Sequence, residues 1–388
     1  MPTKERFTVA IPDAALADLK DRLARTRFPG DFGNPNWEYG TNTAYLKELV
    51  EYWRTQYDWR KVERQINSYA NYKTEIDGVP IHFIHEPGKG PNPIPLILTH
   101  GWPWTFWDLH KVIRPLADPA SYGDDPKDAF DVVVPSLPGY GFSTPLTKTG
   151  VNYWTTADLW VKLMQDVLGY KKFAAEGGDW GAIITEQLGH KHADKLIGIY
   201  LHLLIQLTLF GEGGPKPEDF GPGEEGWAER GKHFFEEESG YSAIQMTKPQ
   251  TVASALNDSP AGLAAWLVEK RRTWSDCGGD IEKRFSKDDL CTTATIYWLT
   301  ESYGTSARYY YEAVHNPWKP SHNRTPIVEA PTGAGVFLKE VFLMPRKWAE
   351  RYLNLKRWTI MPSGGHFAPM EEPQVLIDDI RAFFRTLR

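Results

Sequence analysis

The chain has 388 residues and a net charge of −6 with no run of basic residues, which argues against nucleic acid or anionic membrane as partners. That length suffices for one large domain with accessory elements and a sizeable core. Cys277 and Cys291 are the only cysteines, too few for a disulfide framework, and no apolar signal segment or stretch of ~18 apolar residues occurs, so a cytoplasmic protein without a membrane anchor is expected.

Residues 1–70 read as a helical arm. Asp13 is expected to cap a helix with Leu16, Leu19 and Leu23 on one face. A loop from Gly30 to Tyr39 follows. A second helix then carries Leu46, Leu49, Val50 and Trp53 at i, i+3, i+4, i+7 spacing. Neither helix can bury its apolar face alone, so the arm is expected to pack on the cap and core described next.

From residue 71 the pattern changes to strands. Thr74 to Ile84 reads as a hairpin turning at Asp77-Gly78. Ile94 to His100, Phe130 to Pro135, Phe173 to Ala175 and Leu196 to Tyr200 read as buried strands alternating with helical segments. That alternation predicts an α/β fold with a mostly parallel, doubly wound sheet. Residues 203–320 break it. Gly211 to Gly226 reads as a mobile Gly/Pro/Glu loop, and helical patterns follow at Thr251–Leu256, Ala261–Lys270 and Thr292–Tyr303. This stretch is expected to be an inserted helical cap. The core, 71–202, resumes over 321–388 with strands at Ile327–Ala330 and Trp358–Met361 and a final helix bearing Leu376, Ile380 and Phe383.

The chemistry centres on Gly177-Gly-Asp-Trp-Gly181, between a strand and a helix. A glycine-pinched turn there is the setting of a nucleophile elbow, in which the central residue is held at strained backbone angles. That residue is Asp179. A carboxylate with an ordinary pKa of ~3.9 is already ionised at neutral pH and can attack a strained carbon directly, leaving an ester for water to cleave. In this fold the main-chain N–H groups of Trp102, in His100-Gly-Trp-Pro103, and of Trp180 would form an oxyanion hole. His366, in Gly364-Gly-His-Phe367 after the last strand, would take a proton from water. Its orienting carboxylate is Glu340 or Glu329, and the position of Glu340 beyond its strand favours it. No metal-ligand cluster and no nucleotide-binding glycine motif is present, so no cofactor and no metal is expected. Sixteen tryptophans suit a wide aromatic pocket.

These segments, with Leu256-Asn-Asp-Ser-Pro-Ala-Gly-Leu-Ala264 and Pro331-Thr-Gly333, resemble the epoxide hydrolases of the microsomal and juvenile-hormone branch over nearly the whole chain. The resemblance implies an α/β-hydrolase fold with Asp179 as nucleophile, His366 as base and Glu340 as its partner. It also implies two cap tyrosines that hold the epoxide oxygen. Glu238-Ser-Gly-Tyr241 matches the first motif, and Ser306 to Glu312 matches the second, which places the second tyrosine at Tyr310 with Tyr309 and Tyr311 as neighbours that leave the choice open. The implied partners are a small-molecule epoxide and water, with a homodimer compatible. The chain resembles soluble bacterial members, some of which act in natural-product pathways. Haloalkane dehalogenases, which also place an aspartate in this turn, are the alternative reading. A non-catalytic binding protein of the same fold is a more distant one.

Overall fold

The computed structural model describes residues 3–31, 33–204 and 214–388. Its centre is a sheet in which nine strands are described: β1 (Glu5–Arg6), β2 (Asn71–Ile76), β3 (Val79–Glu86), β4 (Ile94–Thr99), β5 (Phe130–Pro135), β6 (Phe173–Gly177), β7 (Leu196–Leu201), β8 (Val328–Lys339) and β9 (Leu353–Gly365). Their spatial order is β1-β2-β3-β5-β4-β6-β7-β8-β9. The β1, β2, β3 and β5 neighbours pair antiparallel, and every pair from β5 through β4 to β9 is parallel. The parallel strands β4, β5 and β6 are buried at almost every successive position, as strands covered on both faces must be. After β4 the chain adds β5 on one side and β6 on the other. The crevice beyond the carboxyl ends at that switch is where such sheets hold ligands.

The arm matches the sequence reading in its second helix, Thr43–Thr55, which buries Leu46, Leu49, Val50 and Trp53. Asp13 does not cap the first helix. It is the first helical residue, after Pro12, and its carboxylate pairs with Arg60 at 2.5 Å. A third helix, Trp59–Asn67, and the short strand β1 have patterns too brief to read from sequence. The arm packs on the helices between β7 and β8. The Trp53 indole donates to Thr295 at 2.9 Å, and the Tyr57 hydroxyl lies 3.0 Å from that of Thr292.

Those intervening helices are Trp227–His233, Gly240–Thr247, Pro249–Leu256, Pro260–Thr273, Lys287–Leu299 and Tyr303–His315. The stretch read as one helix from Thr292 to Tyr303 is broken. The Thr300 hydroxyl folds back on the Ile296 carbonyl at 2.7 Å, Glu301 takes a left-handed φ of 51°, and a new helix starts at Tyr303. Of the loop expected over 211–226, residues 211–213 lie outside the described residues. The remainder is pinned: Asp219 is buried, accepts from the Lys216 N–H at 2.9 Å and pairs with Arg351 at 2.6 Å. The strand expected to stop near Ala330 runs on to Lys339. Pro331-Thr-Gly-Ala-Gly335 looks like a loop in sequence, but these small residues let the strand pass bulky neighbours. A Cβ on Gly335 would lie 2.3 Å from the Tyr200 hydroxyl. Among the described residues no helix is long and apolar enough to cross a membrane.

Candidate active site

Asp179 stands between the end of β6 and the helix Trp180–Lys191, at φ 49° and ψ −127°. For a residue with a Cβ this is strained backbone, of the kind that persists only where surrounding structure imposes it. The imposition comes from close packing. A Cβ on Gly181 would lie 1.9 Å from the Thr99 carbonyl oxygen, so the helix can start this near β4 only with glycine there. On the other side Gly101 lets the loop after β4 reach the carboxylate itself: a Cβ there would lie 2.2 Å from Asp179 Oδ1.

That approach brings the Trp102 N–H onto Asp179 Oδ1, to which it donates at 2.7 Å. Trp180 is the first residue of its helix, so its N–H has no intrahelical acceptor. His100 pins the same loop rather than reacting. Its Nδ1 lies 3.0 Å from the Gly101 carbonyl and its Nε2 accepts from the Leu137 N–H at 3.0 Å, tying the end of β4 to the segment after β5. Burial pushes this imidazole down to about 4, so it stays neutral at neutral pH.

His366 follows β9 and is buried. Its Nδ1 lies 2.7 Å from Glu340 Oε1, and its Nε2 faces Asp179 Oδ2 at 3.5 Å. Burial alone would favour the neutral ring. The Glu340 and Asp179 carboxylates outweigh it and hold the imidazole up to about 10, so the resting ring is cationic at neutral pH. Glu340 comes directly after β8. Its Oε1 also accepts from the Val341 N–H at 2.6 Å, and the Arg230 guanidinium clasps the main-chain oxygens of Glu340 and, at 2.7 Å, Lys339. Glu329 is elsewhere, paired with Arg324 at 2.6 Å. Of the two acids that the sequence left open, Glu340 is the one beside His366.

Asp179, Trp180, His366, Tyr241 and Tyr310 line one cavity of about 430 Å³. Tyr241, on the helix Gly240–Thr247, stacks on Trp102 with ring centres 4.7 Å apart and meets Tyr310 edge-on at 5.8 Å. Tyr310 comes from the helix Tyr303–His315. Its neighbours point elsewhere: the Tyr309 hydroxyl donates to Thr156 at 2.9 Å, and Tyr311 stacks on His315 at 3.8 Å. Burial, reinforced by nearby groups, pushes both cavity phenols well above the ordinary tyrosine value, which leaves them neutral hydrogen-bond donors. Trp274, Phe234, Phe235 and Phe342 complete an aromatic wall that sequence reasoning missed. With sixteen tryptophans in the chain, nothing local distinguishes Trp274 from those in the core. Among the described residues no cluster of three His, Cys, Asp or Glu could hold a metal ion.

The arrangement offers a carboxylate side chain, an N–H that donates to it, a buried His–Glu pair and two phenols around one apolar cavity. Residues 4–109 match the family model described as "Epoxide hydrolase N terminus", and residues 94–227 match the one described as "alpha/beta hydrolase fold". A Stigmatella aurantiaca protein assigned as an epoxide hydrolase is 42% identical over 383 residues, which span 98% of this chain and 85% of that one. Epoxide hydrolase 1 of Oryctolagus cuniculus is 38% identical over 97% of this chain and 88% of its own. The solved structure of Aspergillus niger epoxide hydrolase matches with a TM-score of 0.85 at 28% identity, covering 99% of this chain and 96% of that one. The chain belongs to the epoxide hydrolase family and carries its chemistry on an α/β-hydrolase fold.

Proposed function

We propose that the protein converts an epoxide to a vicinal diol in two steps, through an alkyl ester on Asp179. The observation that carries this reading is a carboxylate at the nucleophile elbow sharing its cavity with two neutral, buried phenols. In the first step Asp179 Oδ2 attacks an epoxide carbon while Tyr241 and Tyr310 hold the ring oxygen and protonate the alkoxide that forms. A phenol is a suitable acid for that leaving oxygen.

Alkylation removes the negative charge of Asp179, and with it one of the two influences that keep His366 cationic. The ring then gives up a proton, which replaces the one the phenols handed to the alkoxide. Held by Glu340, neutral His366 takes a proton from water, and that water attacks the carbonyl carbon of the ester. The Trp102 and Trp180 N–H groups receive the charge on the carbonyl oxygen. Collapse of the adduct then breaks the bond from that carbon to Oδ2, which leaves in the diol with the proton His366 returns. The new carboxyl group gives its proton to the ring, restoring the starting state. The helices between β7 and β8 serve as the cap, since they supply both tyrosines. The aromatic wall favours a bulky apolar or aromatic epoxide, and two free, buried cysteines fit a reducing, cytoplasmic setting.

A single turnover with enzyme in excess over an aryl epoxide, run in heavy-oxygen water, tests the route. Mass spectrometry is expected to find label in the peptide containing Asp179 and little in the first-turnover diol. Label only in the diol would mean that water attacks the epoxide directly, and the ester route would be abandoned.

A further inference from the structure

Four consecutive main-chain N–H groups around His366 are all taken. Gly364 donates to Asp276 Oδ2 at 3.1 Å, Gly365 to Glu371 Oε2 at 3.1 Å, His366 to the Trp274 carbonyl at 3.0 Å, and Phe367 to Glu371 Oε1 at 2.9 Å. Glu371 Oε2 also accepts from the Asp276 N–H at 2.7 Å. One buried carboxylate therefore bonds three main-chain donors, two flanking the histidine and one on the segment that leaves the helix Pro260–Thr273. The nearby cation does not compete for it: Arg284 pairs with Asp276 at 3.0 Å and with Glu372 at 2.8 Å. The two segments run so close that a Cβ on Gly365 would lie 2.8 Å from the Trp274 oxygen.

We propose that Glu371 is a positioning residue for the hydrolytic step, fixing the His366 loop against the Trp274–Asp276 segment. The proposal rests on the reading of His366 as the base. Glu371 touches neither substrate nor the reacting atoms. It acts by setting where His366 Nε2 lies relative to the ester, and a shift of that kind costs rate in the step that uses the ring. Because the same carboxylate holds Asp276, the base and the Trp274 wall of the cavity keep a fixed relation.

The test is Glu371→Gln with styrene oxide in rapid-quench single turnovers, following the covalent ester by mass spectrometry. The amide preserves size, but in either orientation it presents an NH₂ group to at least one main-chain donor. Alkylation is expected within about twofold of the parent and ester hydrolysis roughly tenfold slower, so that ester accumulates. Unchanged hydrolysis in the folded variant would overturn the proposal, as would equal slowing of both steps, which marks a general structural role. If Glu371→Gln does not fold, Asp276→Asn loosens the same loop from its other side. The same partition, smaller in size, supports the proposal, and its absence overturns it. A parent enzyme that never forms an ester would remove the Asp179 reading itself, and this proposal with it, before any variant is made.

Discussion

The two sides of the cavity are built by different means. The Asp179 side is mostly local. Asp179 is fixed by the end of β6, the start of one helix and glycines within two residues of it, with Trp102 reaching over from the loop after the adjacent strand β4. The His366 side is assembled over long distances. Glu340 is clasped by Arg230, 110 residues earlier, and the His366 loop is bound to Asp276 through Glu371, 95 residues later in the chain. A strained turn is imposed by steric exclusion, which one wrong atom destroys. A side chain held by several hydrogen bonds between segments loosens by degrees.

The largest expected effect breaks the local side. Gly181→Ala drives a Cβ into the Thr99 carbonyl, so main chain must move, and a loss of about 3 kcal/mol of stability is expected. Denaturant unfolding measures it, and alkylation and hydrolysis should fail together. A stable, active Gly181→Ala would show that the turn tolerates displacement. Next, Glu340→Gln breaks the distant side and should slow ester hydrolysis about 100-fold with alkylation nearly intact, since it removes the charge that orients and supports the base. Parallel losses in both steps would erase the contrast between the two sides.

The smallest effect probes their junction. The folded-state pKa of His366 is raised from 6.5 to about 10, so its contribution to stability is complete below about 6.5 and is lost as pH rises through about 10. Asp179→Asn removes one of the carboxylates that raise it, so the loss, which still begins near 6.5, should be smaller and complete at lower pH. Unfolding free energies between pH 6 and 11 for parent and variant decide this. Coincident curves would mean that Asp179 does not act on the ring.

The same contrast explains what could be read in the sequence. Asp179 was legible because its flanking glycines and the change from strand to helix lie within a few residues of it, and the alternation of strands and helices announced the parallel sheet around it. Glu340 was legible only as one of two acids, because the strand before it was taken to end at Ala330. Its small residues look like a loop until Tyr200 and Phe383 are packed against them. Tyr310 could not be separated from Tyr309 and Tyr311 without the helix register. Trp274, Arg230 and Glu371 left no sequence signal, since each matters through contacts that exist only once distant segments have met.

The hydrogen bond from Trp102 to Asp179 Oδ1 makes the two oxygens of one carboxylate unequal. Under the proposed reaction Oδ1, held by the main chain, remains the carbonyl oxygen of the ester, while Oδ2 forms the bond to carbon and departs with the diol. Water then refills the vacant position. Part of the nucleophile is thus a consumable: the first product carries away an oxygen installed when the protein was synthesised. Each later product carries the oxygen that water delivered one cycle before.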